Sequence, residues 1–600
     1  MSHYPAIDRF GVIGNLETVA LVGMDGSIDF MCFPSFDSPS IFTKLLDQAR
    51  GGHFRIAPVL NEARHKQMYL PDTNILFTRF LSAAGVAEVS DFMPIGEDRV
   101  VRRAKTVRGE VTYRMVCAPR FDYARAPHRV HRTSDGVIFE SLGPTPVSLR
   151  LRASVPLTLD QGDASAHFTL SANETATFVL EFATPEGESP SAQPHYGANA
   201  FKATADFWRA WVARSTYRGR WRETVNRSAL VLKLLTSDRH GSVIAAPTFG
   251  LPEELGGVRN WDYRYTWIRD GSFTLYGLMR LGYTEEAGAF MRWFEQRCDE
   301  LEPDGSLQIM YGADGRHQLV EETLDHLEGY RGSSPVRIGN GAWNQLQLDI
   351  YGELMDSVYL YDKYGQPISH DMWMNLHRLV DWVAANWRRP DDGIWEVRGG
   401  SKEFLISRVM CWAALDRAIR LARKRAFPAP LARWLAVRDE IYTEVFTRFW
   451  DPQRRAFVQY EGAGTTDASS LLMPLIKFIS PTDPRWLSTL RAIEADLVDD
   501  SHVYRYRPEL AARDGLAGSE GTFCICSFWY AECLARSGDL QRARYAFEKM
   551  LGYANHLGLF PEELGPAGEH LGNFPQAFTH IGLISAAFYL DRELSRGSKH

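Results

Sequence analysis

Residues 540–556 read Leu-Gln-Arg-Ala-Arg-Tyr-Ala-Phe-Glu-Lys-Met-Leu-Gly-Tyr-Ala-Asn-His. Ala543, Phe547, Met550, Leu551 and Ala554 recur at the three- and four-residue spacing that gathers them on one helical face. The same period runs through the chain from about residue 223 to its end. It predicts about twelve helices, near 223–236, 266–281, 284–300, 342–363, 371–387, 404–424, 430–449, 467–477, 484–498, 521–536, 538–556 and 576–593. Many are separated by loops rich in Gly, Pro, Asp and Trp, longer than a helix connection needs. Loops of that length in a compact domain usually carry a site. Twelve helices fit an (α/α)6 toroid of six inner and six outer helices, with a pocket at one end. The period alone fits other large helical arrays equally well, but no solenoid repeat of fixed length is present.

Upstream the pattern changes. Short apolar–polar alternations such as Ile75-Leu-Phe-Thr-Arg-Phe80 and Val147-Ser-Leu-Arg-Leu-Arg-Ala153 are separated by Gly, Asp, Asn and Pro clusters. That is the signature of a β-sandwich. Pro185-Glu-Gly-Glu-Ser-Pro-Ser-Ala-Gln-Pro-His195 is polar and Pro-rich and reads as a linker, followed by a helical segment carrying Trp208, Trp211 and Trp221. The expected organisation is a multidomain β + α chain: an N-terminal β-sandwich over 1–190, a linker with a helical segment over 191–222, and an (α/α)6 domain over 223–600.

Composition narrows the function classes. The chain has 600 residues, 45% hydrophobic and 24% charged, with 74 acidic against 67 basic groups and a net charge of −7. Nothing there attracts nucleic acid or an anionic membrane, and no apolar run approaches the length of a membrane span. The N-terminus Met-Ser-His-Tyr-Pro-Ala-Ile-Asp-Arg-Phe lacks the basic and apolar regions of a signal peptide, so the cytoplasm is the expected compartment. Seven scattered cysteines read as reduced, buried small hydrophobes. Cys524-x-Cys526 has no second pair at zinc spacing, and no metal is expected. His326, His556 and His580 are unpaired at ligand spacing and read as structural. G-x-S-x-G, H-E-x-x-H, Walker A and G-x-G-x-x-G arrangements are all missing.

The stretch richest in chemistry is Arg259-Asn-Trp-Asp-Tyr-Arg-Tyr-Thr-Trp-Ile-Arg-Asp-Gly271. Trp261, Tyr263, Tyr265 and Trp267 fall at every second position, interleaved with Asp262, Arg264, Arg269 and Asp270. Aromatic faces suit the C–H face of a pyranose, and Arg and carboxylate groups suit its hydroxyls. A core segment with buried ion pairs fits the same residues. Two loops offer carboxyls for chemistry: Asp391-Asp-Gly-Ile-Trp-Glu-Val-Arg-Gly-Gly400 and Gly558-Leu-Phe-Pro-Glu-Glu-Leu-Gly565. Glycosidic cleavage needs one protonated carboxyl at the leaving oxygen and one carboxylate on the opposite face of the sugar. Trp395 supplies the apolar wall that suits a proton donor, which favours Glu396 as the acid. The structural alternative is that Glu396 caps a turn and that Glu562 or Glu563 opens a helix.

These motifs together resemble glycoside hydrolase family 15, the glucoamylase family, in the bacterial and archaeal form that includes trehalases. The likeness covers nearly the whole chain. It begins with Ile13-Gly-Asn-Leu-Glu-Thr-Val-Ala-Leu-Val, Asp25-Gly-Ser-Ile-Asp-Phe, Phe33-Pro-Ser-Phe-Asp-Ser-Pro39 and Val89-Ser-Asp-Phe-Met-Pro94. It continues with Asn260 to Asp270, Arg337-Ile-Gly-Asn340 with Gln345-Leu-Gln-Leu-Asp349, Gly393-Ile-Trp-Glu396, and Gly572-Asn-Phe-Pro-Gln-Ala577.

The resemblance implies a sandwich leading into an (α/α)6 barrel that hydrolyses terminal α-glucosidic bonds with inversion. By the same resemblance Glu396 is the acid and Glu562 the base. Arg269 and Asp270 hold the terminal glucose, and Trp267, Trp395 and Trp261 wall its pocket. Glu563 stands where relatives often have Gln, leaving a second acid beside the base. The expected substrate partner is the non-reducing end of an α-1,4-glucan or maltodextrin, releasing β-glucose, with α,α-trehalose as the alternative. No cofactor is implied. A phosphorylase would lack the water-activating base, and an inactive carbohydrate-binding protein would lack one of the acids. Oligomeric state is not legible.

Overall fold

A computed structural model describes residues 4–134, 136–183, 189–193, 195–507 and 514–597. The N-terminal part is the expected sandwich: two eight-stranded sheets, each paired antiparallel throughout. One runs from the edge strand Phe10–Gly14 to Thr158–Asp160, and the other from His128–Thr133 to Arg64–Tyr69. The alternation read at 76–81 is realised as alternate buried and half-buried side chains. Arg102 and Asp91, both without exposed surface, pair at 2.7 Å, and Arg102 also donates to the Gly26 carbonyl at 2.8 Å. Residues 185–188 and 194 of the proposed linker lie outside the described residues. Of the rest, Ser189 and Ser191 donate to Glu181. Helix α1 (Tyr196–Ala213) follows.

The helical part comprises α2 (Arg222–Leu234), α3 (Ile268–Arg280), α4 (Thr284–Arg297), α5 (Asp349–Tyr364), α6 (His370–Asn386), α7 (Leu405–Arg425), α8 (Leu431–Arg448), the single turn α9 (Leu472–Leu475), α10 (Pro484–Leu497), α11 (Cys524–Ser537), α12 (Leu540–Leu551) and α13 (Ala577–Gly597). Helices α3, α5, α7, α9, α11 and α13 follow one another around an inner ring, α7 meeting α9 through the 3-10 turn Ala468–Leu471 that precedes it, and α13 returns to α3 to close it. The others lie outside it. Inner helices have neighbours on every side, so they need no solvent face: α7 is buried from Leu405 to Ala422 except at Arg420, and α11 from Cys524 to Ala535. All inner helices point the same way. Asp270, Phe523, Gln576 and Phe578, at their beginnings, line a pocket at one end of the ring. Arg280, Tyr364, Arg420, Lys477, Arg536 and Arg592, in their last two turns or just beyond their ends, line a cavity at the other.

Helix boundaries shift where tertiary hydrogen bonds override the period. The helix expected over 342–363 starts at Asp349, because Asn340 Oδ1 captures the Ala342 N–H and Asp391 Oδ2 the Leu348 N–H. That expected over 521–536 starts at Cys524, since Thr522–Phe523 pairs with Glu563–Leu564. The 540–556 helix stops at Leu551, and Asn555 Oδ1 turns the chain by accepting from Leu557 and Leu559. All seven cysteines are buried and unbridged. His326, His556 and His580 each have a hydrogen-bond partner, as a structural role requires. Among the described residues no helix is long and apolar enough to cross a membrane.

An ion pair lies at the seam between sandwich and ring. Arg264 and Asp262, neither exposed, form two hydrogen bonds of 2.9 and 2.6 Å. Arg264 also donates to the Ser38 carbonyl at 2.9 Å and lies 4.5 Å above the Phe249 ring. Asp262→Ala would leave that guanidinium buried without its carboxylate. We expect a loss of about 3–5 kcal/mol, read as a lowered midpoint in urea denaturation followed by Trp fluorescence.

Candidate active site

The aromatic–charged run divides between two surfaces. Asn260–Asp262 pairs with Phe249–Pro252 and Thr266–Trp267 with Met310–Tyr311, so extended backbone sends neighbouring side chains to opposite sides. Trp261, Tyr263 and Trp267 face a pocket that Arg269 and Asp270 also line. Asp262 and Arg264 turn into the seam with Tyr265, whose hydroxyl bonds Asp262 at 3.1 Å. The run thus sends one set of side chains to a pocket and the other into a buried ion-pair cluster.

The pocket encloses about 700 Å³ counting its open mouth. On one side stands the turn Gly393–Glu396, closed by the Glu396 N–H on the Gly393 carbonyl at 3.1 Å. Glu396 takes φ +58°, a left-handed conformation that costs a non-glycine residue energy and concentrates at functional sites. Its backbone completes the turn while its carboxyl enters the pocket, where Oε1 accepts from Trp267 Nε1 at 2.7 Å and from both terminal nitrogens of Arg269 at 3.4 Å. Arg269 also donates to Asp270 at 3.1 Å and to the Ile394 carbonyl at 2.8 Å. Trp395 is anchored through Nε1 by both oxygens of Asp467, at 3.0 Å each. Trp261 donates to Glu253 at 3.1 Å and is flanked by the guanidinium groups of Arg337 and Arg398, 4.8 and 4.6 Å from its ring centre.

Burial dominates the electrostatics. It raises the Asp270 carboxyl, with Arg269 opposing. It pushes Asp349, in the first turn of α5, up to about 6, and Glu353 well above the carboxylate range.

Glu562 and Glu563 are both fully buried, and neither opens a helix: Glu563 lies in the strand Glu563–Leu564 and Glu562 precedes it. Neither is on the pocket wall, where sequence reading placed Glu563 as a substrate contact. Glu562 Oε2 accepts from the Asn573 N–H at 3.0 Å, and burial pushes its carboxyl up to about 7 while the Tyr263 hydroxyl stabilises the charged form. Glu563 Oε2 accepts from the Gly521 N–H at 2.7 Å and Oε1 lies 3.6 Å from Arg505. Burial raises Glu563 well above its usual range, reinforced by Glu253 and Glu520. Glu253, Glu562 and Glu563 bring carboxylate oxygens within 4.8 Å of one another, a spacing that can chelate a cation. Arg505, within 3.6 Å of two of them, already supplies a positive charge there.

Several site residues escaped sequence reading. The Tyr263 hydroxyl sits in the field of Glu562, Glu253 and Glu396 together, so it stands between the two candidate acids. Its place in the alternating run was the available signal. Arg505, on the pocket wall above the Phe523 ring at 4.8 Å, belongs to Tyr504-Arg-Tyr-Arg507, a smaller run of the same kind. Glu253 had no local signal.

Residues 219–588 match the sequence model of glycosyl hydrolases family 15, and residues 2–208 that of the trehalase-like N-terminal domain. This chain belongs to glycosyl hydrolase family 15. The family 15 chain is 38% identical to the trehalase of Mycolicibacterium smegmatis over 98% of its own length and 92% of that protein. It is 37% identical to the trehalase of Thermoplasma acidophilum over 96% and 99%. A bacterial glucoamylase solved with acarbose matches in three dimensions with a TM-score of 0.75, covering 98% of this chain and 95% of its own at 13% identity, which is a likeness of fold. The protein is therefore a glycoside hydrolase, with the sandwich and (α/α)6 barrel that the motifs implied.

A Cβ at Gly572 would collide with the side chain of Glu562, and φ there is +70°. Gly572→Ala should displace that carboxyl and lower kcat/KM for an α-glucoside by at least about tenfold. A circular-dichroism melt on the same sample separates this from a loss of fold.

Proposed function

We propose that this family 15 hydrolase is an α,α-trehalase that cleaves trehalose into two glucose molecules with inversion at one anomeric carbon. Sequence reading ranked α-1,4-glucan ends first and trehalose second, and the relatives reverse that order. The observation that carries the reading is identity of 37–38% to two trehalases along nearly the full length of both chains, sandwich included. The glucoamylase-type relative shares the fold at 13% identity.

In this reading one glucose unit sits against Trp267 and Trp395, its hydroxyls held by Arg269 and Asp270. Glu396 donates a proton to the glycosidic oxygen from a carboxyl oriented by Trp267 Nε1 and Arg269. Glu562, buried behind the pocket wall with the hydroxyl of the pocket-lining Tyr263 hydrogen-bonded to it, is the assigned base for the attacking water. Water adds to the anomeric carbon from the face opposite the breaking bond. That unit leaves as β-glucose, while the leaving glucose keeps its α configuration.

Proton NMR on trehalose, maltose, maltotriose and soluble starch tests both the substrate and the stereochemistry. Trehalose should be cleaved fastest, and the earliest spectra should show α- and β-glucose in equal amounts. Retention would give α-glucose alone at first and would remove Glu562 as a water-activating base. Faster release of β-glucose from maltotriose or starch would restore the glucan-end reading.

A pH–rate profile tests the two acids separately. Glu562 must be ionised to act, and burial pushes it up to about 7, so kcat/KM should fall as pH drops through the range near 7 rather than near 4.5. Glu396→Gln should lower the plateau about 10²–10⁴-fold while leaving that acid limb in place. A variant that retains its rate would take Glu396 out of the role.

A further inference from the structure

The end of the ring remote from the catalytic pocket holds a cavity of about 1320 Å³ counting its mouth. The whole chain is acidic, with net charge −7, yet the side chains lining this cavity include seven cations and a single carboxylate, Asp356. Four of the cations are already satisfied. Arg417 binds Asp356 at 2.6 Å, Arg420 binds Asp416 at 2.7 Å, Arg536 binds Glu532 at 2.6 Å and Arg592 binds Glu593 at 3.0 Å. Arg280, Lys363 and Lys477 have no carboxylate within ion-pair distance among the described residues.

One structural role for such cations is to offset the inner helices, whose C-terminal ends converge here with roughly half a negative charge each. Arg417 does this, donating to the Ile476 carbonyl. Arg280, the last residue of α3, favours its helix end through its charge but donates to no carbonyl among the described residues. Its terminal nitrogen Nη1 is buried yet donates to no acceptor among the described residues, and its guanidinium is held flat at 4.1 Å over Tyr276 and 5.2 Å from Phe588. A buried donor without an acceptor is costly to the fold, so a group kept this way is poised for an acceptor that comes from outside. Burial pushes Arg280 down to about 10, with Glu532 opposing and Arg536 and Arg592 reinforcing. Lys477, at φ +66° just beyond α9, is lowered in the same sense by burial and by Arg417. Tyr364, 59% exposed at the rim, offers an aromatic face beside Lys363.

We propose that this cavity is a second ligand site, for a small phosphorylated metabolite whose phosphoryl oxygens are bound by Arg280, Lys363 and Lys477. A phosphoryl group presents several strong acceptors and matches the guanidinium fork. Its ring or chain lies toward Tyr364. The site is separate from the catalytic pocket and does not depend on which α-glucoside the enzyme cleaves.

Isothermal titration calorimetry on the full chain tests this with fructose 1,6-bisphosphate, inorganic pyrophosphate and fructose. The bisphosphate should bind saturably and fructose should not. Equal binding of pyrophosphate would show that the phosphoryl group alone is read, and tighter binding of the bisphosphate that the aromatic rim contributes. Arg280→Met with Lys477→Met should weaken binding at least tenfold, Arg280→Lys should recover part of it, and thermal melts and glycosidase activity should certify that each variant is folded. No saturable heat up to about 10 mM would overturn the proposal, as would affinity unchanged in the double variant. Loss of thermal stability in the variants, with no anion binding by the wild type, would assign the cations to the helix ends alone.

Discussion

Closure of the inner ring is the constraint on which the rest of the molecule depends. Helix α13 packs on α3, and six helices that all point the same way must start at one mouth and end at the other. Each inner helix is therefore entered through a loop at the same end. Those loops bring Trp267, Asn340, Glu396, Arg505 and Gln576, spread over some three hundred residues, to one pocket. The helix N-termini add partial positive charge there, which favours carboxylates such as Asp270 and Asp349 in first turns. The opposite mouth gathers the C-termini, and the cations collect there.

Two guanidinium groups make a pocket so rich in buried acids tolerable. Arg269 joins Asp270 and Glu396, and lies in the field of Asp349 and Glu353. Arg505 joins Glu520, Glu253 and Glu563. Removing Arg269 would leave Asp270 and Glu396 in a low-dielectric interior without their ion-pair partner; removing Arg505 would leave Glu563 without one, while Arg259 would still pair with Glu520 at 2.9 Å and Glu253 at 3.8 Å. Burial already moves Glu562 to about 7, where a carboxyl can exchange a proton at working pH. The left-handed φ of Glu396 belongs with this: the turn aims its carboxyl at Trp267 and Arg269 at a cost in backbone energy that surrounding hydrogen bonds hold in place.

The sandwich contributes from behind the pocket, and the Arg264–Asp262 pair is one of several contacts it makes with the helical part, beside Arg316–Asp37, Arg227–Asn74 and Asn555–Phe10. Arg264 and Asp262 sit one side chain away from pocket residues on the same extended stretch, so the pocket wall and the domain interface share a backbone. Asp262 also accepts from the Gly339 N–H at 3.1 Å, which fixes the loop carrying Asn340. Rigidity of the aromatic wall thus depends on contacts made to the sandwich on its other side.

Much of this was legible in the chain itself. The period of 3.6 located the helices because it depends on residues within a turn or two of each other, and the β alternation located strands for the same reason. The residue types around 259–271 and 391–400 announced sugar chemistry. Sequence order did not show that residues 342–348 and 521–523 would leave the helical pattern, since their N–H groups are captured by Asn340, Asp391 and strand partners distant in the chain. Nor did it show that Tyr263 would stand between Glu562 and Glu396, that Glu253 and Arg505 would join them, or that three cations without an ion-paired carboxylate would meet at the far mouth. The sequence by itself determined the local periods and the chemistry of each loop, which are properties of neighbours. Only the tertiary structure decided which carboxyls share a pocket and how strongly they hold their protons, because burial and Coulomb fields are set by residues hundreds of positions apart.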